Sequence, residues 1–410
     1  MRYEKSHRRP WRWIGAGTGA VALLVGVATW NVLRPVAAVA VSQAPVVAAT
    51  QPGTPLAWPA GAEAAVEVQG VTPILTNGPQ KALPTASIAK VITALTVLQK
   101  YPLASASELG PVITYTQADL DRYNAYVAKD GSVVGVAPGE QMRERQALEA
   151  LMLPSANNIA DSLAVWAFGS LDAYKTAATQ YLKGLGLTNT TIGADASGLD
   201  PGTTSTPSDM VRLGEQALAN VSLAAIVAEK SAGLPTGSST NDYTVYNVNR
   251  LVGQDGIIGI KTGNSDEVGG NLLFAAKAEA AKGKPVTIIG VVMGLNSLDA
   301  ALNTTPPLLD SVKANVYVAT PVHAGQTIAT YHTVWGASAT ATAQKDLSLV
   351  AWKGSAITPK VELQRAGVAY TAGTSVGTVS VTSGTSAGST GINMTAGLPG
   401  PTFWWRLTRH

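Results

Sequence analysis

Three short clusters in this chain place a hydroxyl, a lysine and small polar groups at spacings that suit nucleophilic catalysis. The first lies in ALPTASIAKVITALTVLQ, where Ser87 and Lys90 stand three residues apart at the head of an apolar stripe of Ile88, Val91, Ile92, Leu95 and Leu98. The stripe repeats with a helical period, so both side chains share one face of a helix opening. Free N–H groups and the positive dipole end of that helix favour an oxyanion developing beside Ser87, and Lys90 is within reach as proton acceptor. A lysine is a base only when neutral. Burial and a second nearby cation both disfavour its charged form, so this chemistry requires a partly desolvated pocket with another lysine aimed into it. The bland alternative is Ser87 as a helix cap.

The second cluster is QALEALMLPSANNIADSLAVWA, in which Leu148, Leu151 and Met152 mark a helix that stops at Pro154. Ser155-Ala156-Asn157 then falls on a loop before another helix, where Ser155 is placed to shuttle a proton and Asn157 to hold a peptide carbonyl or N–H. Helix capping is the alternative, and a second S-x-N at Ser239-Thr240-Asn241, in a polar run that reads as a loop, shows how little the tripeptide specifies. The third cluster, DGIIGIKTGNS, reads as a strand through Ile257, Ile258 and Ile260 that ends in Lys261-Thr262-Gly263. An edge strand with a glycine lets an extended peptide pair alongside it, while Lys261 and Thr262 offer a cation and a hydroxyl to a terminal carboxylate. Asp195, Asp200 and Asp209 are read as structural, the last within a capping box opened by Thr206 with Pro207 at the first helical position.

The elements that carry these clusters follow from composition. The 410 residues are 46% apolar and 13% charged, with no cysteine, which excludes disulfides, thiolate metal sites and a cysteine nucleophile. The four histidines, His7, His323, His332 and His410, all lie outside the central segment, so a Ser-His-Asp triad or histidine-built zinc site there is disfavoured. No metal or cofactor is expected. Residues 1–12 hold five basic residues against Glu4, which leaves the remainder net −1 within a formal total of +3. The basicity therefore belongs to one terminus, and nucleic acid is not an expected partner.

Trp13 to Leu33 carries no charge, and at roughly 1.5 Å per residue it spans roughly 30 Å of hydrocarbon. With the basic tail at 1–12 on the cytoplasmic side, the remainder is expected outside the membrane. The stretch 13–33 is read as an uncleaved anchor, or alternatively as a signal peptide cut after Ala38-Val39-Ala40. Residues 34–61 read as a flexible linker, residues 62–316 as an α/β or α+β domain, and residues 317–410 as a small all-β domain whose last strand is TFWWRLTR.

The three clusters occur in the order S-x-x-K, S-x-N, K-T-G, 68 residues (Ser87 to Ser155) and 106 residues (Ser155 to Lys261) apart. This set resembles the active-site-serine, penicillin-recognising enzymes. Its flanks, among them DASGLDPGTTSTPSDMVRLG and GIIGIKTGNSDEVGGNLLFAA, are most similar to the D-alanyl-D-alanine carboxypeptidases of the low-molecular-weight penicillin-binding protein class. The resemblance implies a serine transpeptidase/β-lactamase-like domain, followed by the β-rich domain. It implies Ser87 as acylating nucleophile, Lys90 as its base, Ser155 and Asn157 in proton shuttling and substrate holding, and Lys261, Thr262, Gly263 and Asn264 along the substrate, with the Ser87 and Asn264 N–H groups as oxyanion hole. The implied substrate is the D-Ala-D-Ala end of a peptidoglycan stem peptide, with β-lactams as covalent inhibitors. No arginine stands between Arg250 and Arg365, so the guanidinium that some relatives place at the substrate carboxylate is missing. A class A-like β-lactamase and a weakly catalytic wall-binding or β-lactam-sensing module are the alternatives.

Overall fold

The computed structural model describes residues 11–236, 239–265, 268–364 and 367–409. At the centre of the body lies a five-stranded antiparallel sheet, ordered Ile257–Ser265, Gly269–Ala281, Lys284–Leu295, Glu63–Val68, Leu75–Asn77. Strand side chains alternate between faces. Leu273, Ala275, Ile289 and Val291 therefore turn toward the helices Ala89–Lys100, Glu144–Met152, Asn157–Phe168 and Pro207–Ala219. Leu272, Phe274, Ala276, Ile288 and Val292 turn the other way, against Ala301, Leu302, Leu308 and Val312 of the helix Leu298–Asn315. Both faces are covered, which is why residues 272–276 (LLFAA) and 288–293 (IIGVVM) carry no polar side chain. The strand bearing the K-T-G cluster is an edge of this sheet.

The C-terminal region forms a six-stranded antiparallel sheet, ordered Ala40–Gln43, Thr327–His332, Ser338–Ala343, Ser386–Met394, Ser375–Ser383, Ile357–Leu363. A separate antiparallel pair, Val316–Val322 with Leu347–Trp352, packs on it around Val322, Ile328, Tyr331, Val379 and Ile392. His323 and His332 both belong to this region, and His7 and His410 lie outside the described residues.

Three expectations are corrected. The stretch read as a linker is docked rather than free: Ala40–Gln43 pairs with Thr327–His332, Val39 is buried in the β-domain core, and Thr54 N–H donates to Asn315 Oδ1 at 2.8 Å. An uncharged run of Ala and Val suits a strand edge as well as it suits a solvated coil. The closing TFWWRLTR is a helix, Phe403–Thr408, not a strand. Thr402 caps it by accepting from Trp405 N–H, and Arg406 and Arg409 donate to the Val32 and Asn31 carbonyls that end the helix Trp11–Leu33. Those carbonyls have no partner within their own helix, and the basic side chains supply one. Ser239-Thr240-Asn241 opens the strand Ser239–Tyr246 rather than lying in a loop. Trp11–Leu33 is helical and exposes Leu23, Leu24, Trp30 and Leu33. Among the described residues, no helix is long and apolar enough to cross a membrane. Residues 1–10 of the basic tail lie outside the described residues.

Candidate active site

Ser87 occupies a 3₁₀ turn, Ala86–Ile88, that runs into the helix Ala89–Lys100. The cap positions are Thr85 for the turn and Ile88 for the helix, so Ser87 is not a cap. Two glycines fix where this turn sits. A Cβ on Gly263 in the edge strand would meet the Thr85 carbonyl oxygen at 2.7 Å, and one on Gly198, whose φ is +75°, would meet the Ala86 carbonyl oxygen at 2.1 Å. Only a bare backbone approaches this closely on both sides. Gly263 thus serves to seat the nucleophile's turn against the sheet, a role different from giving room to a peptide.

Lys90 follows on the same face and is 0% exposed. Its Nζ lies 2.7 Å from Ser87 Oγ, 2.6 Å from Asn157 Oδ1 and 3.1 Å from the Ser197 carbonyl oxygen. Burial holds the Lys90 amine well below the ordinary lysine range, and repulsion from Lys261 adds to that, while Asp195 and Asp161 pull the other way. A neutral amine has two protons and one lone pair. The Asn157 and Ser197 oxygens only accept, so they take the two protons and leave the lone pair for the Ser87 hydroxyl. This is the arrangement of a general base hydrogen-bonded to its nucleophile.

Ser155 and Asn157 stand at the corner between the helices Glu144–Met152 and Asn157–Phe168. Ala156 is the cap position of the second helix and no side chain caps it, so the capping alternative does not account for Ser155. Ser155 is 6% exposed with φ +66°, and Ala86 next to the nucleophile has φ +47°. Two non-glycine residues in this sparsely populated region, each costing about 1–3 kcal/mol, flank one site. Asn157 is pinned from the other side by its own N–H, which donates to the Ser132 carbonyl at 2.7 Å.

These groups open into a cleft of about 850 Å³ lined by Ser87, Ser155, Asn157, Thr262, Asn264 and Ser265, with Arg122 and Lys129 on its wall. Lys261 does not reach the cleft wall. It is 2% exposed behind Thr262, with Nζ 3.4 Å from Thr262 Oγ1, and burial lowers its pKa to about 7. Strand alternation explains the difference: Lys261 and Gly263 face the nucleophile's turn, and Thr262 and Asn264 face the cleft. Arg250 is engaged at the surface with Asp299, at 2.5 Å, and Asn303.

Two participants carry no sequence signature as such. The Ser197 carbonyl is backbone, so its residue type says nothing. Asp161 sits one helical turn beyond Asn157, a spacing that puts both on one face, and it accepts from Tyr126 OH at 2.7 Å and Ala196 N–H at 2.9 Å. Asp195 accepts from the N–H groups of Ser197, Gly198 and Asp200, Asp200 from those of Ala194 and Gly202, and Asp209 from Asn189 N–H, so all three shape loops. Among the described residues, no group of three or more His, Asp or Glu is placed to hold a metal ion.

Comparison with known proteins identifies relatives of the chain and of its fold. D-alanyl-D-alanine carboxypeptidase DacB2 of Mycobacterium tuberculosis is 33% identical over 216 residues, covering 52% of this chain and 67% of that protein. The D-alanyl-D-alanine carboxypeptidase of Streptomyces sp. K15 is 31% identical, over 56% of this chain and 78% of its own length. The crystal structure of the Streptomyces K15 DD-transpeptidase superposes with a TM-score of 0.55 at 25% identity, over 63% of this chain and 98% of that one. Penicillin-binding protein 5 of Haemophilus influenzae shares the fold over 88% of this chain and 100% of its own, with a TM-score of 0.57 at 20% identity. Residues 48–297 match the family model described as D-alanyl-D-alanine carboxypeptidase, and the chain belongs to that family of S11 peptidases.

Proposed function

We propose that this chain is a serine-type carboxypeptidase that removes the terminal D-alanine from peptidoglycan stem peptides through an acyl-enzyme on Ser87. The observation that carries the reading is the buried Lys90 amine, held by two acceptors and turned toward Ser87 Oγ at 2.7 Å. Ser87 Oγ attacks the carbonyl carbon between the two D-alanines, and its proton passes to Lys90 Nζ. The Ser87 and Asn264 N–H groups take the oxyanion. Collapse breaks the C–N bond, and the Lys90 proton reaches the leaving amine with Ser155 Oγ as relay. Water then attacks the ester, its proton returns through Lys90 to Ser87 Oγ, and the shortened peptide leaves. Thr262, with the Lys261 cation behind it, receives the substrate carboxylate. A β-lactam enters the same path and stops at the ester.

The same reading sets the catalytic domain on the extracytoplasmic side of the cell membrane, tethered by the uncharged stretch 13–33 or released if that stretch is removed. The basic flank at 1–12 and the exposed apolar side chains of Leu23, Leu24 and Leu33 support it. The test is free D-alanine released by the full chain, in detergent, from a peptide ending in D-Ala-D-Ala. Release that is absent with Ser87→Ala, together with no release of the terminal alanine from a peptide ending in L-Ala, supports the reading. Equal release by the Ser87→Ala protein overturns it.

A further inference from the structure

Lys90 reaches its position through a helix, but one of the two acceptors that turn its lone pair is a backbone carbonyl on a loop. Something must hold that loop. Asp161 projects from the helix Asn157–Phe168, one turn beyond Asn157, and is 6% exposed. One of its oxygens accepts the Ala196 N–H at 2.9 Å, and Ala196 immediately precedes Ser197, whose carbonyl receives Lys90 Nζ at 3.1 Å. The other oxygen accepts Tyr126 OH at 2.7 Å, which ties the carboxylate to a second residue lining the cleft. One helix therefore presents both supports of the base: Asn157 directly, and Asp161 through the Ala196–Ser197 peptide.

We propose that Asp161 is a positioning residue for the acylation base, setting the Ser197 carbonyl against Lys90 and placing a negative charge behind it. This rests on the Ser87–Lys90 mechanism above. Without the carboxylate the Ala196 N–H loses its acceptor, the turn rests on Asp195, which accepts from the Ser197 and Gly198 N–H groups, and on Thr93, which donates to the Ala196 carbonyl, and the Lys90 lone pair is less closely confined to the Ser87 direction. The charge acts separately. Lys90 is faced by Lys261 from the edge strand, by Asp195 from the loop and by Asp161 from the helix; Asp161 is itself faced by Tyr126, Arg122 and Asp195, and Tyr174 lies within the field of both carboxylates. Lys261 favours the neutral amine, and Asp161 and Asp195 keep that preference in check.

The experiment is the second-order rate of acylation of the full chain by a chromogenic cephalosporin, followed across pH. Asp161→Asn keeps an acceptor for Ala196 and deletes the charge, so the acid limb moves to lower pH while the plateau changes little. Asp161→Glu keeps the charge and misplaces the oxygens, so its acid limb stays while its plateau falls. If Asp161→Asn does not fold, Asp161→Ser deletes the charge along with the acceptor, and its acid limb still moves to lower pH. An acid limb that is unmoved in the charge-deleted variant, or that moves equally in Asp161→Glu, overturns the proposal. Failure of the native chain to acylate overturns the underlying mechanism instead.

Discussion

Asn157 Oδ1 accepts from Lys90 Nζ at 2.6 Å, which makes a neutral amide the nearest support of a buried amine. The pairing is tolerable only while the lysine is neutral or its charge is met by these acceptors, because an uncompensated ammonium in an apolar pocket is costly.

A carboxylate at the same place changes the outcome. Asn157→Asp sets a negative charge against Lys90 and stabilises the ammonium, so acylation at neutral pH falls by about a hundredfold and recovers as pH is raised. A pH–rate profile of penicillin acylation checks this. A profile that keeps its native acid limb contradicts the idea that Lys90 works as a free amine.

Lys261 acts on the same equilibrium from the other side. Its cation is the second reason, after burial, that the Lys90 amine is held low. Lys261→Met preserves the packing and removes the charge. The Lys90 acid limb then moves to higher pH, opposite to the shift expected from Asp161→Asn. The same substitution raises KM for a D-Ala-D-Ala peptide more than it lowers the acylation plateau, because the field at the substrate carboxylate is lost.

Gly263 and Gly198 grip the turn that carries Ser87. Gly263→Ala forces a Cβ to within 2.7 Å of the Thr85 carbonyl oxygen, and Gly198→Ala to within 2.1 Å of the Ala86 carbonyl oxygen with an unfavourable φ as well. Both variants lose about 1–3 kcal/mol of stability, with Gly198→Ala the worse, and both acylate more slowly. Thermal unfolding and acylation rates measured together check the order.

Much of this was legible from the chain. The stripe from Ile88 to Leu98 located the helix that carries Lys90, and the run before Lys261 located its strand, because periodicity and apolar runs report burial. What escaped reading depends on contacts between distant segments. The Ser197 carbonyl has no residue signature, and Gly198 and Gly263 reveal their purpose only when Thr85 and Ala86 are seen beside them. The docking of Ala40–Gln43 is decided by a partner 292 residues away in sequence (Ala40 with His332), and the helix at Phe403–Thr408 by one 374 residues away (Arg406 with Val32). Lys261 read correctly as a strand residue, yet its burial behind Thr262 follows from which face the edge strand turns inward.

Away from the site, Glu144 is 0% exposed, both carboxylate oxygens lack a hydrogen-bond partner among the described residues, and burial raises its pKa to about 7, with Glu108 adding to the shift. The folded state therefore binds a proton that the unfolded chain releases near 4.5, so this contribution is present below about 4.5 and is lost as pH rises through about 7. Glu144→Gln removes that loss. Above pH 7 it gains at least about 1 kcal/mol over the native chain, roughly 2 °C in Tm, with no gain at pH 4. Melting curves across pH decide the point, and an equal shift at both ends contradicts it.

The most direct measurement is the intact mass of the full chain after exposure to a penicillin, beside Ser87→Ala and Lys90→Met. The account predicts one penicillin-sized adduct that persists on the native chain, none on Ser87→Ala, and formation slowed by about a thousandfold or more on Lys90→Met. An adduct that survives the loss of Ser87, or that forms at the native rate without Lys90, contradicts the account at its centre.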